Sequence, residues 1–180
     1  MPLIFIVERR IYMKHTKRML TVFMLTALLI TTLALPASAA GNSWASEFSV
    51  FPTQSTSSYS TGYTRAIQAF ACVCGSNEPL VLIRTSGGID GVYGTNTAEA
   101  VKFIQNGSTS RPGVCDSATW SIIGSCVKSQ GTMTANGHTY TVLVPKVDEC
   151  PLYRVRTVNS NYEYSVNNVL SSGWSVFRAA

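Results

Sequence analysis

Gly88-Ile89-Asp90-Gly91-Val92-Tyr93-Gly94-Thr95-Asn96-Thr97-Ala98-Glu99-Ala100-Val101-Lys102-Phe103-Ile104-Gln105 reads as a tight, glycine-bearing loop that runs straight into a helix. Asp90-Gly91 is a turn dipeptide, because Gly takes positive φ without a Cβ clash and Asp can bond its own backbone. Ala98, Val101 and Ile104 then recur at helical spacing, with Ala100 beside them. Asn96 followed by Glu99 has the spacing of a capping box and places the helix start near Thr95 or Asn96. Tyr93 is expected to stand exposed on this rigid loop, over a helix N-terminus whose N–H groups can meet a ligand. The same residues can equally form a plain structural corner.

The device recurs. Gly91-Val92-Tyr93-Gly94-Thr95-Asn96-Thr97-Ala98 lines up with Gly113-Val114-Cys115-Asp116-Ser117-Ala118-Thr119-Trp120. Both copies have Gly-Val, four residues, then Thr in the first turn of a helix. The second copy has Pro112 where the first has Asp90, and Asp116 where the first has Gly94. Asp116 or Ser117 can cap a helix from Ala118 to Gly124 that carries Trp120 and Ile123 inward. Upstream, Thr64 to Cys74 shows a helical face of Ile67, Phe70 and Ala71, closed by Gly75 as a C-cap. Pro79 followed by Leu80-Val81-Leu82-Ile83 reads as an extended segment.

The N-terminal part is of another kind. Met13-Lys14-His15-Thr16-Lys17-Arg18 is basic, Met19 to Leu35 is apolar, and Pro36-Ala37-Ser38-Ala39 supplies small residues. This is the pattern of a secretory signal peptide over residues 1–39, with cleavage after Ala39, and the residues before Met13 read as an upstream start. An uncleaved membrane anchor is the competing reading of the same run; with cleavage, the membrane is met only transiently. The formal charge of the whole chain is +5. Five of its basic residues and one acidic residue lie in the signal, so the mature chain of 141 residues carries a charge near +1 and gives no ground for nucleic-acid binding. Residues 40–50 read as a Ser/Thr-rich flexible leader.

From Gly131 the period changes to two. His138 to Val144, Leu152 to Val158, Tyr162 to Val166 and Trp174 to Phe177 read as strands, with Asn159-Ser160-Asn161 as a turn. Arg154 and Arg156 share one face of a strand and can meet an anionic polymer, although a solvated face is the commoner cause of such a pair.

Phe51-Pro52, Ile67-Gln68, Asp90-Gly91-x-Tyr93-Gly94-x-x-Thr97, Ala100-Val101-x-x-Ile104-Gln105 and Thr119-Trp120-x-x-Ile123 follow in order at compatible spacing. In this combination the stretch from about 51 to 124 resembles the three-helix peptidoglycan-binding domain family of secreted cell-wall hydrolases. The stretch from Gly75 to Gly88 is longer than the family's, and Ala71 stands where it usually has Leu. The resemblance implies a mainly α three-helix domain over residues 51–127 and says nothing of the rest; the period-two pattern adds a small antiparallel β region over 131–180, α+β overall. The resemblance implies a protein that binds bacterial cell-wall glycan without catalysis. Asp90, Tyr93, Gly94 and Thr97 are then the expected ligand-binding residues, since a glycan–peptide needs an aromatic face and a few fixed polar groups. Asp90, Gly91 and Gly94 can also serve only the corner, and Thr97 only the helix start. Trp120 reads as core, and Gln68 and Gln105 as partly buried structural amides.

Cys72, Cys74, Cys115, Cys126 and Cys150 all lie in the mature part. In an exported chain they are disulfide candidates, and an odd count leaves one over. Cys72 and Cys74 would not face each other on a helix. Cys115 and Cys126, spanned by a helix, would stand about 16 Å apart. Pairing of Cys72 or Cys74 with Cys115 or Cys126 is therefore expected, with Cys150 left to tie down the C-terminal part if it pairs.

His138 is the one mature histidine, so no zinc site is expected. A Cys150–His138 dyad lacks a helix N-terminus to lower the thiol pKa. Asp148-Glu149 reads as a solvated turn rather than two carboxylates across a cleft. The expected function is thus a secreted, wall-associated, non-catalytic binder of peptidoglycan or a related glycan, with no cofactor. The alternatives are a small wall hydrolase with its site in the β region, and a structural or inhibitory protein that reuses the fold.

Overall fold

A short helix, α1 (Ser43–Ser49), opens the described residues, within the stretch where a flexible leader was expected. Trp44 and Phe48 fall four residues apart and so share one face. That face lies on the last helix at Gly124, where any Cβ would overlap the Trp44 carbonyl. The computed structural model describes residues 43–171 and 173–179, so the signal segment over 1–39 lies outside the described residues. Among the described residues no helix is long and apolar enough to cross a membrane.

Four more helices follow: α2 (Thr61–Val73), α3 (Asn77–Thr85), α4 (Thr95–Gln105) and α5 (Ser117–Ser125). Helix α3 replaces the extended segment expected at Pro79–Ile83. Its first turn holds Glu78 and Pro79 and its last turn Arg84, each suited to the end it occupies. The N-cap of α4 is Gly94, not Asn96. Asn96 instead donates through Nδ2 to the Leu82 carbonyl at 3.3 Å and so ties α4 to α3. Asp116 does cap α5, accepting from the Thr119 N–H at 3.1 Å.

Helix α5 leads directly into β1 (Val127–Ala135), which the sequence reading missed. The strands β2 (His138–Pro145), β3 (Tyr153–Val158), β4 (Asn161–Asn167) and β5 (Trp174–Arg178) complete an antiparallel meander in the order β1-β2-β3-β4-β5. The turn at 159–161 fell as expected: Asn159 and Ser160 take left-handed φ of 48° and 69°.

Among the described residues, the expected three-helix domain with an appended β region gives way to a mixed α+β fold of five short helices and one five-stranded sheet. The physical reason is a shared aromatic core. Phe51 sits edge-on to Trp120 of α5 and to Tyr164 of β4, with ring centroids 5.2 Å away in both cases. Phe177 of β5 packs on Tyr63 of α2 at 5.6 Å, and Gly62 leaves it room. Tyr153 of β3, fully buried, donates its hydroxyl to the Ala66 carbonyl of α2 at 2.8 Å. Aromatic pairs of this kind are worth about 1 kcal/mol each beyond the area they bury. Leu143, Val155 and Val166 extend the same core. The described residues belong to one compact unit.

Candidate functional site

The opening loop is closed by an amide from another helix. Gln68, buried in α2, accepts from the Gly91 N–H through Oε1 at 2.9 Å. Its Nε2 donates to Asp90 Oδ1 at 2.8 Å, and to the Val92 carbonyl and Thr97 Oγ1 at 3.2 Å each. Thr97 in turn donates to the Val92 carbonyl at 3.2 Å. Gly91 has φ of 84°, and a Cβ there would run into Thr61 of α2. Only glycine fits that corner.

The second copy is closed in the same way. Gln105 of α4 accepts from the Gly113 N–H at 2.9 Å and donates to the Val114 carbonyl and Thr119 Oγ1 at 2.8 Å each. Thr119 donates to the Val114 carbonyl at 3.2 Å. The Arg111 carbonyl, 3.2 Å from Gln105 Nε2, takes the place that the Asp90 carboxylate has in the first copy. The first loop is thus pinned from α2, with α3 between them in the chain, and the second from α4, the helix directly before it. The repeat seen in the sequence is a repeat of hydrogen bonds.

The expected ligand residues stand inside this network of bonds. Asp90 is engaged inside the loop, its Oδ1 also accepting the Val92 N–H at 2.9 Å. Thr97 is buried. Tyr93 is not exposed as expected but 1% accessible, because its ring fills the space between the two loops. Its hydroxyl donates to the Gly113 carbonyl at 3.1 Å, and burial pushes its pKa far above the ordinary phenol value. Of the four residues only Gly94 lacks such a buried tie, and exposed Val92 is its outward neighbour. Asp90, Tyr93 and Thr97 are brought together, as the frame of the loop. Trp120 is core, as read, and donates Nε1–H to the Pro52 carbonyl at 3.0 Å.

The larger concavity lies elsewhere. A cleft of about 530 Å³ opens where the ends of α2, α4 and α5 meet the end of β2. Phe70, Ile104 and Ile122 give it apolar walls, and Phe103, half-exposed, stands at its edge. Its size and lining are those of a small-molecule or glycan–peptide site. The sequence carried one signal for it: Phe103 sits off the buried stripe of α4 marked by Val101 and Ile104.

All five cysteines are free thiols, and no two stand at disulfide distance. The expected cross-pairing brings only Cys74 and Cys126 to one place, the wall of this cleft. Cys115 is sealed in the core, where its backbone bridges Gln54. Burial raises the pKa of Cys72 to about 11, that of Cys74 above the usual thiol value, and that of Cys115 further still. Cys150 is raised as well, by burial and by Asp148 beside it. None of these four is an activated thiol. His138 opens β2 and Cys150 lies in the loop past its other end, with about 23 Å of strand from His138 to Pro145. Glu149 pairs with Lys128 at 3.0 Å. Among the described residues no three His, Cys, Asp or Glu side chains are placed to hold a metal.

No family model matches the chain, and no curated protein or solved structure matches it.

Proposed function

We propose that this chain is a secreted, non-catalytic binder of peptidoglycan or a related cell-wall glycan. What supports the reading is that the separated motif residues close on one another. Gln68 holds Asp90, Gly91 and Thr97; Tyr93 holds Gly113; Gln105 holds Thr119; and Trp120 holds Pro52. A chance string of motif-like residues has no reason to form one connected lock. The motif therefore serves as scaffold, and the ligand belongs in the cleft between the helix ends, with Phe103 as the face for sugar C–H groups.

Co-sedimentation of the mature chain with purified insoluble peptidoglycan tests this. The wild type pellets at moderate salt, and Phe103→Ala pellets several-fold less while its melting temperature holds. A wild-type protein that stays in the supernatant refutes the reading. Wild-type pelleting that Phe103→Ala leaves untouched moves the site out of the cleft.

A further inference from the structure

The face of the sheet turned away from the helices carries a guanidinium, that of Arg154, that forms no ion pair among the described residues. Register fixes which residues share it. Val142 and Ser165 flank Arg154, Glu163 pairs with Arg156, and Trp174 pairs with Asn167. Arg156 is already engaged, its Nε and Nη2 donating to the two carboxylate oxygens of Glu163 at 2.7 and 3.0 Å. Arg154 has no carboxylate within ion-pair reach among the described residues. Its guanidinium is held between two rings, 4.3 Å from the Tyr140 centroid and 4.7 Å from that of Trp174. Arg154 Nε is buried with no hydrogen-bond partner, and so is Oγ of its cross-strand neighbour Ser165. Two orphaned polar atoms at paired positions are a standing cost unless an acceptor or a bridging water reaches them.

Next to this pair lies a trough of about 470 Å³ lined by both ends of the sheet. Thr132 and Gln130 come from β1, Asn167 from β4 and Trp174 from β5, with Val142 also lining it. The amides of Gln130 and Asn167 accompany an indole, which is the mixture a saccharide needs. The charge of the face comes from Arg154, since Lys128 and Arg156 are paired with Glu149 and Glu163.

We propose that this face is a second binding site, for an acidic glycan whose carboxylate or phosphate is taken by the Arg154 guanidinium while a sugar ring lies along Trp174. Stacking on two rings keeps the guanidinium flat and pre-oriented, which suits a two-pronged contact with an oxyanion. The inference stands apart from the wall reading, because it uses none of the cleft residues and is tested on soluble ligands.

The full chain is titrated calorimetrically with trigalacturonate, with an oligo(glycerol phosphate) and with neutral cellotriose. At least one acidic probe binds, more weakly as salt rises, and cellotriose does not. The tighter acidic probe identifies the anion as carboxylate or phosphate. Arg154→Gln lowers affinity about tenfold or more. Gln130→Glu, in the bulge beside Gly131, which pairs with Val142, sets a like charge on the trough wall away from the stack and does the same with an unchanged melting temperature. Lys102→Gln, on the helical side, changes nothing. Should Arg154→Gln unfold early, Gln130→Glu carries the test. The proposal fails if neither acidic probe binds, if cellotriose binds as tightly, or if Gln130→Glu retains wild-type affinity.

Discussion

Gln68 and Gln105, on different helices, make the same closure: each takes a glycine N–H at 2.9 Å on Oε1 and passes Nε2 to a threonine hydroxyl in the first turn of the helix beyond. The two amides are the interior of this fold's repeated unit. Asp90, Gly91 and Thr97 of the first loop and Gly113 and Thr119 of the second are held by them.

Gln68→Leu and Gln105→Leu should each destabilise the protein by about 2–4 kcal/mol, because each strands a buried glycine N–H as well as losing its own bonds. Urea unfolding followed by tryptophan fluorescence gives the values. A loss under about 1 kcal/mol would mean that water replaces the amide and the lock is ornamental.

The two glycines of the first loop should separate cleanly. Gly91→Ala is strained at φ 84° and collides with Thr61, so a loss of about 2–4 kcal/mol is expected. Gly94 has ordinary φ and open space around it. Gly94→Asp copies the Asp116 cap of the second loop and should stabilise by a few tenths of a kcal/mol, about 0.3. Equal losses at both positions would contradict the geometry.

Tyr93→Phe should cost about 1 kcal/mol for the lost bond to Gly113, and Tyr93→Ala about 3–5 kcal/mol for the emptied space between the loops. Thermal or chemical denaturation reads both. A folded Tyr93→Ala protein of unchanged stability that no longer pellets with peptidoglycan would return Tyr93 to the binding surface.

Alkylation of Cys72 should lag at neutral pH and keep rising about tenfold per unit between pH 8 and 10, since its pKa is raised to about 11. An exposed thiol levels off above about pH 8.5. Peptide mass mapping after timed iodoacetamide treatment distinguishes the two, and a plateau at Cys72 near the ordinary value would show that its burial is not maintained.

The Arg156–Glu163 pair has a pH signature. Its hydrogen bond from Arg156 holds the Glu163 carboxyl below the usual value. A lowered folded pKa contributes stability that is present above the unfolded value, about 4.3, and lost as pH falls through the folded one. Wild type should therefore exceed Glu163→Gln in melting temperature at pH 7, with the gap closing in acid. A gap that persists at the lowest pH would assign the effect to packing.

The loops and α4 were legible because glycine turns and helical periodicity are local signals. The strands from β2 onward were legible by alternation. Helix α3 was misread because Leu80-Val81-Leu82-Ile83 is apolar without a period, while the better clue was its ends: Ser76 before, Glu78 and Pro79 in the first turn, Arg84 in the last. Strand β1 was missed because Lys128 to Thr134 is a largely exposed edge with a glycine in it. The inward turn of Tyr93 was beyond reach, since its partner Gly113 lies 20 residues away. The sharing of one core by helices and sheet is likewise long-range, and no window of sequence contains both Phe51 and Tyr164.

The two outermost strands are each irregular. Register breaks in β1 between Ser129 and Gly131, and the pairing of β4 with β5 steps past Phe177. An unbroken edge is a template on which another chain can polymerise, and a bulge spoils the template by bending it out of line. Copies of this protein crowded together should thus stay separate molecules instead of joining strand to strand into fibres.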